Sequence, residues 1–131
     1  MPEIMAGINT YLHSKIQAIP ADVPEDNFPG DSNEELMCRH DVSPLIRQRY
    51  LDGSYWAEFS FSYYRKSMNV ITARQALEAI MGVLQIDNFT ALFGLTDGRL
   101  ETVTRPSFVS KDESGVNIYT SSYRLVYFQE A

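Results

Sequence analysis

Cys38, His40 and Asp41, within Leu36-Met37-Cys38-Arg39-His40-Asp41, are the nearest this chain comes to a reactive cluster. On an extended strand, residues two apart point to one face, so Cys38 and His40 could serve as two metal ligands or as a thiolate–imidazole pair. A zinc site needs three or four ligands, and the sequence offers no second cluster of cysteine or histidine. The other histidine, His13, lies on a helix-patterned stretch with no partner identifiable from the sequence. The plainer reading is a buried cysteine in a strand beside an exposed histidine. The acids gather at residues 22–35 and read as solvated, and no spacing could reveal a glycosidase pair among them. Gly94-Leu95-Thr96-Asp97-Gly98 lacks the lysine and the helix of a phosphate-binding loop. There is no nucleophile elbow, and Asn88-Phe89-Thr90 matches a glycosylation acceptor only formally. The expectation is a non-enzyme with no catalytic residue, no metal and no cofactor.

Length and composition narrow the class further. The 131 residues suit one domain, and 44% hydrophobic with 12% aromatic content suits a folded chain with a real core. No apolar run approaches the roughly 18 residues that span a bilayer, and Glu3 with nearby polar residues argues against a signal peptide. One cysteine forbids an internal disulfide and fits a reducing compartment. The net charge of −6 argues against a dedicated duplex binder, which would neutralise phosphates with basic residues. It does not argue against a surface that lets DNA slide past.

The elements that must position any site follow from periodicity. Ile4, Ile8, Tyr11, Leu12 and Ile16 keep helical spacing, which predicts a helix over residues 3–18 ending before Pro20. Residues 20–35 hold three prolines and read as a long acidic loop, with Phe28 its only aromatic. Phe28 either anchors into a neighbour or tucks onto its own domain, the tuck being the plainer choice. Leu36–Asp41 reads as a strand stopped by Ser43-Pro44.

The richest stretch is Tyr50–Ser67, where Asp52-Gly53 signals a hairpin whose two-residue turn needs φ > 0 at both positions. That turn would set Tyr50 against Tyr55, Gln48 against Ala57 and Ile46 against Phe59. On the other face Arg49 would meet Trp56, and Arg47 would meet Glu58. Tyr55, Ala57, Phe59, Phe61 and Tyr63 then form a core face, and Trp56, Glu58, Ser60 and Ser62 an outer one. The outer face reads as a surface to be touched. Arg39, Arg47, Arg49, Arg65 and Lys66 could converge on these strands, with ion pairing to Glu58 and the acidic loop as the default.

Val70–Ile86 reads as a helix with Val70, Ala73, Leu77, Ile80, Met81 and Leu84 inward, and Gly82 marking close packing on the sheet. Phe89–Leu95 reads equally as a helical turn or a bent strand, and Asp97-Gly98 as a turn. Leu100–Val109 and Val116–Phe128 are two strands joined by a polar loop, with Arg105-Pro106 marking an edge or bulge. In the last strand Tyr119, Tyr123, Leu125 and Tyr127 share one side and Ile118, Val126 and Phe128 the other. A strand apolar on both sides is central, or has one face covered by another subunit. The expected fold is α+β, a twisted, mostly antiparallel sheet of four to five strands backed by two helices.

Two segments, YLDGSYWAEFSFSYYRKS and PSFVSKDESGVNIYTSSYRL, together with the order of elements around them, carry a family likeness. The chain resembles the tail terminator, or tail completion, and minor capsid proteins of bacteriophages with long non-contractile tails. The likeness covers nearly everything outside residues 20–35. It implies a small α+β subunit of a ring, commonly of six copies, that caps the tail tube, stops its polymerisation and joins it to the head connector. DNA passes through the lumen without sequence recognition. The implied partners are therefore other copies, the tail tube protein and the connector or stopper, in a virion assembled in the host cytoplasm and without a membrane. No catalytic residues come with the likeness.

A ring uses heterologous contacts, so each subunit needs two complementary patches. Arg47, Arg49, Trp56 and Glu58 are the candidates for one patch, and Phe28, Asp26 and Asp31 in the acidic loop for the other. The long loops 20–35 and 111–115, the second beginning with Lys111 and Asp112, would reach toward the tube or the connector. Two alternatives stand beside this reading: a connector or stopper subunit of the same virion, and a small cytoplasmic ligand-binding or accessory enzyme domain. The last would need a concave pocket with converging polar groups.

Overall fold

A computed structural model describes residues 2–17, 19–20, 23–26, 28, 34–41, 45–86 and 96–130. Its elements run α1 (Pro2–Lys15), β1 (Glu35–His40), β2 (Leu45–Arg49), β3 (Tyr55–Ser67), α2 (Val70–Ile86), β4 (Thr96–Lys111) and β5 (Asn117–Gln129). The fold is α+β: an open antiparallel sheet with both helices on one face.

The sheet is organised around β3 and β5. They pair without a break from Tyr55↔Gln129 to Ser67↔Asn117. β4 lies outside β5, while the other edge of β3 is shared end to end by two short strands. β1 pairs with residues 61–66 and β2 with residues 55–58, both antiparallel to β3. The chain thus moves from β1 to β2 along one edge without reversing. At the break Asp41 N–H donates to Ser60 C=O, and Ser60 N–H returns a bond to the Asp41 carboxylate.

Strict alternation along β3 works as its sequence suggests. Ala57, Phe59, Phe61 and Tyr63 are buried on the helix side, joined by Tyr123, Leu125 and Tyr127 of β5. From the helices come Ile4, Met5, Ile8 and Leu12 of α1 and Leu77, Ile80, Met81 and Leu84 of α2. Each large apolar side chain so buried contributes roughly 1.5–3 kcal/mol. Asn69 starts α2 as its N-cap, its side-chain oxygen accepting from the N–H groups of Ile71 and Thr72. Two details of α2 differ from expectation. Val70 is exposed because it is the first helical residue, beyond the reach of the sheet. Gly82 is not a close-packing site, since a Cβ there would meet nothing within 4 Å.

Both hairpin turns share one construction, and it is not the two-residue turn expected at Asp52-Gly53. Gly53 N–H donates to Tyr50 C=O and Tyr50 N–H to Ser54 C=O, and Gly53 alone in this turn has positive φ, +93°. The loop is therefore three residues, a turn followed by a glycine bulge. Asp112–Val116 repeats it, with Gly115 at φ +89°. In each loop an aspartate carboxylate, Asp52 or Asp112, accepts from the backbone and hydroxyl of a serine two residues on. The longer first loop moves the β2–β3 register, so that Arg49 faces Tyr55, Gln48 faces Trp56 and Ile46 faces Ala57, with an irregularity at Arg47.

Asp97-Gly98 is not a turn but lies inside β4, at a register shift between Thr96 and Arg99. Further shifts follow along β4, one of them spanning Arg105-Pro106. Proline lacks the N–H that a ladder needs, so the expected edge or bulge at this pair is both. The reading of Phe89–Leu95 lies outside the described residues.

Candidate interface on the open sheet face

The acidic segment is tied to its own domain where it is described. Pro24 C=O accepts from Cys38 N–H, Asp26 N–H donates to Cys38 C=O, and Glu25 makes a parallel bridge to Cys38. Residues 24–26 therefore line the outer edge of β1, with Val23 buried beneath them. Glu25 Oε2 lies 3.2 Å from His40 Nε2, and Glu34 pairs with Arg65 at 3.1 Å. Burial pushes the Glu34 carboxyl up, but bonds from Ser67 and Met68 N–H, with the Arg65 charge, outweigh it and hold the group below its usual range. Phe28 lies under Lys66 of the same chain, the ammonium 4.8 Å from the ring centroid. Asp26 sits at φ +68° with its carbonyl near the Arg39 guanidinium. Asp31 lies outside the described residues.

Cys38 and His40 do share a face, but they do not form a reactive pair. Cys38 is fully buried in the core, its sulfur 3.9 Å from both Asn9 Nδ2 and Val23 O. His40 is largely buried, against the expected exposure, because Glu25 covers its Nε2 and its ring lies against Phe59. A shallow hollow of about 180 Å³ opens over the gap between β1 and β2, lined by Arg39, His40, Asp41 and Ser60, and Cys38 takes no part in it. Among the described residues no group of three or more potential metal ligands comes together.

The opposite face of the sheet carries no helix among the described residues. Its middle is a flat field of small hydroxyl side chains, with Ser62 and Ser122 joined across β3 and β5. Toward the β2 end, charge crosses the strands in alternation. Arg47 of β2 lies 3.2 Å from Glu58 of β3, which is also 3.7 Å from Arg124 of β5. Arg124 reaches Glu101 of β4 at 3.1 Å, and Glu101 pairs with Arg99 at 3.3 Å. Three arginines against two glutamates leave one net positive charge on a chain of −6. Beside this band Trp56 packs edge-on against Phe128, and Tyr50 meets Phe128 from the turn. Arg47, Gln48, Trp56, Val126 and Arg99 line a groove of about 360 Å³.

Of the residues the sequence marks for this patch, Arg47, Trp56 and Glu58 come together here. Arg49 does not: the shifted register puts it opposite Tyr55, where its guanidinium lies over the Tyr55 ring at 5.9 Å. The five basic side chains named with the hairpin do not converge either. Arg65 and Lys66 pair with Glu34 and Glu35, and Arg39 lies over Tyr64. Lys111 is exposed at the end of β4. Asp112 is occupied by its own turn, its carboxyl held low chiefly by the Val116 N–H. Arg99, Glu101 and Arg124 are members the sequence reading misses. Their signal was available: Arg124 alternates with Val126 and Phe128, and Arg99 with Glu101, so period two sets each pair on one face.

A third hollow, of about 240 Å³, lies between α2 and β1 and is mostly apolar, lined by Ile16, Ile19, Leu36 and Ile80 with Arg65 and Thr72 at its side. No protein-family model matches the chain, and comparison with curated proteins finds no match.

Proposed function

We propose that this protein is a structural subunit of a bacteriophage tail, forming a ring that caps the tail tube, ends its polymerisation and joins it to the head connector. The observation that carries the reading is the sheet face that no helix covers among the described residues, where aromatic and alternately charged side chains lie together over four strands. Such a face is suited to burial against another protein, since aromatic and arginine side chains are enriched at interfaces. The sheet edges are less suited to strand addition. Residues 24–26 line β1, and β4 is broken by register shifts and by Pro106, both devices that blunt an edge. The ring therefore closes through the face, with DNA passing an acidic subunit that does not retain it.

The test is a phage particle lacking the chain. A terminator leaves overlong tails without heads when absent. Tails of normal length that fail to join heads would instead favour the connector or stopper reading.

A further inference from the structure

The groove between Arg47 and Arg99 has charge that the rest of the chain can complement. Along the β1–β2 edge of the same sheet, Glu25, Asp26 and Asp41 lie around the gap between the two strands, all exposed. Glu25 faces His40 and the Asp41 carboxylate accepts from Ser60 N–H, so the strip is anchored to the sheet and not on a free arm. Arg39 lies beside it, its guanidinium 3.5 Å from the Asp26 carbonyl and over the Tyr64 ring. Copies of a chain carrying −6 repel one another at distance, so contact between them needs local opposite charge. Here the chain carries both halves, the groove on the sheet face and the strip along the β1–β2 edge, and a head-to-tail contact joins two such different surfaces.

We propose that the Arg47–Arg99 groove receives the Glu25–Asp26–Asp41 strip of a second copy of this chain. The inference rests on the reading that the protein is a ring subunit and names the two surfaces that meet. Arg47 and Arg99 exchange part of their pairing with Glu58 and Glu101 for the incoming carboxylates. Trp56 and Val126 form the floor on which the partner's backbone lies. The Arg99–Glu101 pair is exposed and weak, and Glu58, only 14% exposed, keeps Arg124 at 3.7 Å when Arg47 turns to an incoming carboxylate.

A charge-swap experiment tests it. One variant carries Arg47→Glu and Arg99→Glu, the other Glu25→Lys and Asp26→Lys, with circular dichroism confirming that each is folded. Sedimentation velocity then compares each alone, the two mixed, and the unaltered protein. The expected result is self-association of the unaltered protein, a loss of about tenfold or more in each variant alone, and recovery in the mixture. In the mixture native groove meets native strip at one contact, and reversed groove meets reversed strip at the next. If a double variant does not fold, Arg99→Glu alone serves, because that side chain is two-thirds exposed, at 66%. Unaltered association in the variants would overturn the groove assignment and leave the ring reading standing. A chain that stays monomeric at every concentration would also overturn it, whereas the ring reading is tested separately, in the particle.

Discussion

Tyr63 Oη donates a short hydrogen bond, 2.5 Å, to Asn9 Oδ1, and this is the buried polar joint between α1 and the centre of the sheet. Both side chains are sealed from solvent, and Asn9 Nδ2 points toward the Cys38 sulfur. An amide in an apolar core has few partners to choose from, so the pair fixes how α1 lies on β3.

Removing one partner strands the other. Tyr63→Phe leaves Asn9 Oδ1 buried without its donor and should cost about 1–3 kcal/mol in urea unfolding. Asn9→Leu with Tyr63→Phe should cost less than the sum of the single changes, since neither then strands a polar atom.

Burial also governs the alkaline limit of stability. Desolvation raises the Tyr63 hydroxyl well above its ordinary value and pushes Tyr123 up to about 12, the latter against the opposing bond to Ser121. A raised folded-state pKa means that the unfolded chain loses its protons first. Stability from these groups is whole below about pH 10 and falls as pH rises through the folded values. Ultraviolet titration should show exposed tyrosines ionising ahead of a late phase that coincides with unfolding. A single phase at ordinary pKa would refute this.

The same substitution should act in opposite directions at two glycines. Gly82→Ala meets open space on a helix and should stabilise by up to about 1 kcal/mol. Gly115→Ala is forced to φ +89° and should destabilise by about 1 kcal/mol. Thermal unfolding of the two variants measures both signs.

Trp56 is the only tryptophan and lies in the groove floor, so its fluorescence reports that surface alone. Emission should shift to the blue with rising protein concentration, and the shift should be lost in Arg99→Glu. A spectrum independent of concentration would mean that copies do not meet there.

Alternation and helical spacing made the elements, the core face of β3 and the body of α2 legible, because burial is a local pattern repeated many times. Register was harder to read. The Asp52-Gly53 pair was visible, but Gly53 alone takes positive φ, in a loop of three residues, and that extra residue sets Arg49 opposite Tyr55 in place of Trp56. Asp97-Gly98 carries the same two letters but lies within β4, taken up in the register shift between Thr96 and Arg99 and not in a turn. The charged band was half legible for a related reason. Arg47 and Glu58 sit on neighbouring strands of one hairpin, whereas Arg124 and Glu101 join them only through the β3–β5–β4 order, which no local signal announces.

Cryo-electron microscopy of the intact particle tests the central claim most directly. Density for this chain is expected as a closed ring at the head–tail junction, with Trp56 and Arg99 of each copy covered by the next. A particle without the chain, or a ring in which that sheet face stays open to solvent, would contradict it.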